Sequence, residues 1–216
     1  MEMPDWPLFG LRLRCREVTL RLVRESDLPH LAASRPDDYE HHPRAEMFDG
    51  LDPGENGRRL TCQEYWRSLG TWSPSSWCLD LAVEQDGAVV GVQSLEGEDF
   101  PVVRTVDSGS WLIPPVRGRG IGVAMRTAVL GLAFDHLGAV AAISSTTDDN
   151  AASLGVSRRI GYRDNGVSLN NSGHGPIELT HLRLTAGQWR ASGLGRDVTV
   201  AGFEPCRPWF GLAGAG

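Results

Sequence analysis

Two hydrophobic periods alternate along this chain. Strand-like apolar runs fall near 18–23, 78–84, 88–95, 105–112, 140–145, 162–167 and 181–184, with clear alternation at 18–23 and on either side of residues 86–87. Period two predicts strands with one covered face. Runs with apolar positions three and four apart fall at 26–33, 59–69, 120–137 and 151–160, and these predict helices. Asp86-Gly87 sits between two alternating runs, as a two-residue hairpin turn does. Asn150 is a good N-cap; Ala152, Val156 and Ile160 share one helical face, and Gly161 closes that helix before Tyr162 opens a strand. Strands and helices in this mixed order predict an α+β fold, a sheet with helices on both faces.

Two stretches lie outside the pattern. Residues 35–57, rich in Asp, Pro, Gly and His, show no clean period; a long, mobile loop is expected there, of the kind that carries specificity beside a scaffold. Beyond Thr185 the chain is Gly-rich yet holds Trp189, Phe203, Trp209 and Phe210. Such aromatics are costly to leave in water, so the tail is expected to dock, on this domain or on a partner subunit.

The run from Arg117 to Ala124 (Arg-Gly-Arg-Gly-Ile-Gly-Val-Ala) follows an apolar, strand-like segment and opens the 120–137 helix. Strand, glycine turn and helix N-terminus together form an anion cradle, because unpaired N–H groups converge there with the positive end of the helix dipole. A Walker loop requires a lysine after its second glycine, and this chain has none. The dinucleotide fingerprint requires a third glycine or alanine, where this chain has Val123 or Met125, depending on the starting glycine. What fits is R-x-x-G-x-G, carried by Arg117, Gly120 and Gly122. That pattern resembles the pyrophosphate motif of the GCN5-related N-acetyltransferase (GNAT) superfamily, whose ligand is acyl-coenzyme A.

A second resemblance lies in Asn150, Ser153 and Val156, followed by a basic residue, Gly161 and Tyr162. A third lies at the N-terminus, where Leu20-Arg21 on a strand is followed by Asp27 and a helix, similar to the opening of the ribosomal-protein N-acetyltransferase branch. The resemblance spans residues 13 to 184 and implies a mixed, mostly antiparallel sheet of about seven strands with helices on both faces. One domain over 1–216 is expected, with its core at 13–185 and a tail at 186–216.

The resemblance also implies roles. Coenzyme A would be held by Arg117, Gly118, Arg119, Gly120, Ile121, Gly122 and Val123 at its pyrophosphate, with Arg117 and Arg119 adding charge-assisted bonds. Its pantetheine arm would pair with the backbone at Trp111, Leu112 and Ile113; Asn150 and Ser153 complete the binding set, and Asn150 is also counted with Ser157 and Asp107 among the catalytic residues. Many family members carry tyrosine seven residues after the asparagine as the acid for the leaving sulfur; here that position is Ser157, as in the ribosomal-protein branch. For the base, Asp107 on the fourth family strand is favoured over Glu96, Glu98, His41 and His42. Acetyl-CoA is the default donor. Succinyl-CoA stays open if an arginine or histidine lies beside the acyl pocket, with His41, His42 and Arg44 as candidates. The acceptor, a small-molecule or protein amine, is not identified, and a non-catalytic acyl-CoA binder with the same fold is the alternative.

Charge and composition narrow the partners. The net charge is −6, which argues against a nucleic-acid binder and favours a cationic substrate. No apolar run approaches ~18 residues, so no membrane span is expected, and the start lacks a signal-peptide layout. The four cysteines are scattered without a C-x-x-C pair and read as reduced thiols of a cytoplasmic protein. His41 and His42 are adjacent and do not suit a zinc site, so no metal is expected. Every one of the 21 Lys/Arg residues is arginine, which fits either a GC-rich codon bias or avoidance of self-acylation. A homo-oligomer is left open.

Overall fold

The expected strands are shared between two sheets in the computed structural model, which describes residues 5–39, 45–171 and 175–212. The first has six strands: β1 (Arg12–Cys15), β2 (Val18–Leu22), β3 (Trp77–Gln85), β4 (Ala88–Gly97), β6 (Ser110–Leu112) and β10 (Val198–Ala201), ordered β10-β1-β2-β3-β4-β6 and antiparallel throughout. The second is ordered β5-β7-β9-β8, from β5 (Thr105–Val106), β7 (Ala141–Thr147), β8 (Arg163–Asn171) and β9 (Pro176–Thr185). Among the described residues only β5 and β7 run parallel. The helices are α1 (Leu28–Ser34), α2 (Pro53–Gly70), the short α3 (Phe100–Val103), α4 (Ile121–Gly131), α5 (Ala151–Ile160) and α6 (Ala186–Ser192). The α+β class with a mostly antiparallel sheet stands.

One expected strand, 105–112, is divided. Its first residues pair with β7 and its last with β4, so the chain passes from one sheet to the other within a few residues. The backbone stays tied to β4 through the crossing: Asp107 and Glu96 exchange both N–H···O bonds at 2.9 Å, and Ser94 N–H reaches the Gly109 carbonyl at 2.8 Å. Beyond that point β6 ends the six-stranded order, and among the described residues no strand pairs with its outer side.

Local chemistry explains most boundaries. α5 begins and ends where the caps place it: Asn150 Oδ1 accepts the Ser153 N–H at 3.0 Å, and Gly161 takes φ +107°. The turn between β3 and β4 uses positive φ at both Asp86 and Gly87, the mirror-image turn that matches strand twist. α2 starts at Pro53, six residues before the apolar period, because Asp52 and Glu55 form a capping box ahead of a proline at N1. The expected loop is correspondingly shorter; its residues 40–44, including His41, His42 and Arg44, lie outside the described residues.

The tail docks on its own chain. β10 pairs with β1, Trp189 is buried with its Nε1 bonded to Asp135, and Phe203, Cys206 and Phe210 join a core cluster that begins at Leu8. Trp6 meets Trp209 at 4.4 Å between ring centroids, and Trp72 Nε1 donates to the Trp209 carbonyl at 2.9 Å. N- and C-terminal segments are thus packed against each other.

Leu20-Arg21 and Asp27 also gain a physical role. Arg21 grips Asp27 with two nitrogens at 2.7 and 2.9 Å and Glu84 with a third at 2.7 Å, joining β2, β3 and the entry to α1. Burial alone would raise the Asp27 pKa, but the bonds from Arg21 and the Arg24 backbone outweigh it and the net direction is down. The stability this adds is present above the ordinary carboxylate pKa and is lost as pH falls through the depressed one. Arg21→Met should therefore lower unfolding free energy at pH 7 by about 3 kcal/mol in denaturant titrations, the low end for breaking a buried pair, and the deficit should shrink in acid. A loss near zero would mark the cluster as surface decoration.

Candidate active site

At the turn before α4, Gly118 and Gly120 take φ +75° and +87°, the left-handed region that L side chains resist. Nothing lies within 4 Å of where a Cβ would stand at either, so conformation and not space demands glycine here. The Val123 and Ala124 amides both bond back to the Gly120 carbonyl at 3.1 Å. The amides just before them are the ones a helix start leaves for an anion. At Gly122 the reason for glycine is different: a Cβ would come within 3.2 Å of Val156, so α4 and α5 approach closely beside the turn.

From this turn a cleft of about 620 Å³ runs between β6 and β7, where the two sheets part. Trp111, Leu112, Arg117, Gly118, Gly120, Gly122, Val123, Asn150 and Ser153 line it. Ile113, Arg119 and Ile121 do not: Ile113 is tied by its N–H to Val90, Arg119 is exposed, and the Ile121 side chain is buried in the core. Arg117 is already engaged. Its Nε donates to the Leu112 carbonyl at 2.9 Å, and its two Nη atoms hold Asp38 at 2.5 and 2.8 Å. That grip pulls the Asp38 carboxyl below its ordinary pKa. A phosphate at Arg117 would compete with this carboxylate.

Ser157 lies behind the wall, outside the lining residues, fully buried and with its Oγ lacking a hydrogen-bond partner. Arg126 and Arg159 do line the cleft. Each stands three or four residues beyond lining residues of its own helix (Gly122 and Val123, Gly155 and Val156), the spacing of one helical face.

Strand register places Cys78, Glu96 and Asp107 in one cross-strand row, beside Asp80 and Ser94. This is the face covered by α1 and α2, on which Val92 and Trp111 also sit. Burial raises the Asp107 pKa, against the opposing pull of the Ser108 amide, Arg126 and His181. Glu96 is raised by desolvation, then by Asp107 and Asp80. Burial pushes the Cys78 thiol far above its ordinary value, so it supplies no thiolate nucleophile. Tyr39, whose ring stands 6.4 Å from Trp111, joins this acidic wall to the cleft. Among the described residues no group of three or more His, Cys, Asp or Glu is placed to hold a metal ion, and no helix is long and apolar enough to cross a membrane.

The geometry suits coenzyme A: an anion turn, a free strand edge for amides and a cleft crossing the sheet. Comparison with known proteins agrees. Residues 17–163 match the acetyltransferase (GNAT) domain family. Mycobacterium smegmatis RimJ in complex with CoA-disulfide superposes with a TM-score of 0.63 at 21% identity, over 89% of this chain and 98% of that one. A GCN5-related N-acetyltransferase from Brucella melitensis gives 0.65 at 19%, over 86% and 82%. A spermidine N-acetyltransferase SpeG chimera from Vibrio cholerae and hSSAT gives 0.59 at 13%, over 81% and 98%. At these identities the likeness to solved structures is one of fold. The family match covers most of the chain, which therefore belongs to the GNAT acetyltransferase family.

Gly120→Ala should destabilise the protein by about 1–2 kcal/mol through left-handed strain alone. In a thermal melt that is a fall of roughly 2–8 °C for a chain of this size. An unchanged melting temperature would show that the turn does not hold this conformation in solution.

Proposed function

We propose that this chain moves a short acyl group from coenzyme A to a primary amine by direct attack, as a relative of the ribosomal-protein acetyltransferases. The parting of the sheets at Asp107–Gly109 carries the proposal. It opens a cleft with an anion turn at the α4 end, and the row of carboxyls on the α1/α2 face stands behind its lining residues Ser108, Gly109 and Tyr39. The branch is supported by the Leu20-Arg21…Asp27 opening and by Ser157 in place of the more usual tyrosine.

In this reading the turn from Gly118 to Val123 receives the pyrophosphate, and the free edge of β6 pairs with the pantetheine amides. Asn150 caps α5 and faces the arm. An alkylammonium, with pKa ~10.4 in water, is drawn to the row of Asp80, Glu96 and Asp107 and must lose a proton before attack. Asp107 takes that proton, with Glu96 beside it. The amine lone pair then forms the C–N bond, the C–S bond breaks with its electron pair leaving on sulfur, and the second proton on the attacking nitrogen passes through solvent to the thiolate, which leaves as the free thiol. Ser157, which the resemblance assigns to the leaving sulfur, is buried behind the cleft wall with its Oγ unpartnered, so it serves as donor to that thiolate only if the wall shifts to admit the sulfur. Acetyl is the family default for the acyl group. Acceptors of the required kind are a protein N-terminus, a protein lysine, a polyamine, an aminoglycoside or an amino acid.

The non-catalytic alternative binds the same ligand without turnover. Acetyl transfer from acetyl-CoA to a panel of these amines separates the two: release of free thiol is expected with at least one, and binding without release would favour the alternative. Asp107→Asn should cut kcat by 10²–10³-fold. The raised Asp107 pKa predicts that wild-type activity falls as pH drops through it, and this acid limb should vanish in the variant. Because the charged form of Asp107 is disfavoured by burial, it costs stability above its folded pKa and not below the unfolded value. Asp107→Asn should therefore melt no lower than wild type at pH 7. Ser157→Ala should lose about tenfold in kcat at unchanged KM. Full turnover in both variants would remove these assignments.

A further inference from the structure

The floor of the cleft, on the α4 side of the sheets, holds a cation that the chemistry above does not use. Arg126 is only 4% exposed, on a helix otherwise buried through apolar and small residues. Its Nη1 lies 3.4 Å from Ser144 Oγ on β7 and its Nη2 3.5 Å from Ser110 Oγ on β6, both at the long limit for a hydrogen bond. Its Nε has no partner. Among the described residues no carboxylate forms an ion pair with it. Asp107 feels its charge but sits on the opposite face of the strand, with its Oδ1 bonded to the Ser108 amide at 2.6 Å. Gln93 Oε1 is also buried and unpartnered, and Ser108 Oγ and Tyr162 Oη, buried as well, make no hydrogen bond of good geometry, Tyr162 reaching only weakly toward Ser108 and Arg126. Buried polar groups are ordinarily satisfied and buried charges paired. A donor-rich group of this kind, opening into a ligand cleft, is incomplete without an anion.

We propose that Arg126, with Ser108, Ser110 and Ser144, receives the terminal carboxylate of a dicarboxylic acyl group, of succinyl length, carried on coenzyme A. The inference rests on the acyl-coenzyme A reading of the cleft. A planar guanidinium holds a carboxylate with two parallel bonds, whereas an acetyl methyl would leave its charge buried against carbon. The distal carboxylate is unchanged in the reaction; the C–N bond forms and the C–S bond breaks as with acetyl.

Calorimetric titration of the full chain with free coenzyme A, acetyl-CoA, succinyl-CoA and the methyl ester of succinyl-CoA tests this. Succinyl-CoA should bind at least tenfold more tightly than either acetyl-CoA or the ester, and Arg126→Gln should reduce that preference to within about twofold. Affinity for free coenzyme A serves as the fold control for the variant. If Arg126→Gln does not fold, the ester comparison on the wild-type protein decides alone. Equal or weaker binding of succinyl-CoA, or a preference that survives in a folded Arg126→Gln, overturns the role of Arg126. No binding of any of the four ligands overturns the reading of the cleft as well.

Discussion

The rest of the site depends on a single exchange of backbone partners. Between Val106 and Ser110 the chain gives up pairing with β7 and takes up pairing with β4. A continuous sheet would close that space with ladder hydrogen bonds. Here the two ladders diverge, and β6 keeps an edge, facing β7 across a cleft, that no strand pairs with among the described residues. Edges of this kind are liabilities unless something covers them. An amide-rich pantetheine arm would satisfy this one, which ties the architecture to the class of ligand.

The divergence also sorts charge. Residues alternating along β4 and β6 face opposite sides, so the carboxyls of Asp80, Glu96 and Asp107 fall on the α1/α2 side. The guanidinium of Arg126 and the hydroxyls of Ser110 and Ser144 fall on the α4 side. A cationic acceptor and an anionic donor would thus approach from opposite faces and meet where the sheets part. The Arg117–Asp38 pair stands where the turn meets the segment after α1, so phosphate binding and the position of that segment are linked through one arginine.

What could be read from the chain in advance was what short-range chemistry decides. The glycine turn, the caps of α5, the Asp86-Gly87 hairpin and the amphipathic strands each depend on a few neighbouring residues. The split of 105–112 depends on which distant strand offers the better partner, and period two cannot distinguish one strand from two that continue each other. β1 and β10 are four residues each and are defined by their pairing, β1 with β2 and β10, and β10 with β1. α2 hid its start because Gly54, Glu55, Asn56 and Gly57 carry no apolar period, although the capping box was there to see. Arg126 was visible as a charge in an apolar helix, but only the fold shows that it faces the cleft and lacks a carboxylate.

Amide hydrogen exchange of the protein with and without saturating coenzyme A tests the central claim most directly. Protection should appear at Ser110–Ile113 on β6, across Gly118–Val123, and along the β7 and α5 walls at 144–146 and 150–156, with little change in β1, β10 and the tail. Protection absent from β6 and the turn, or concentrated elsewhere, would contradict the account, because the parted sheets would then not be where coenzyme A binds.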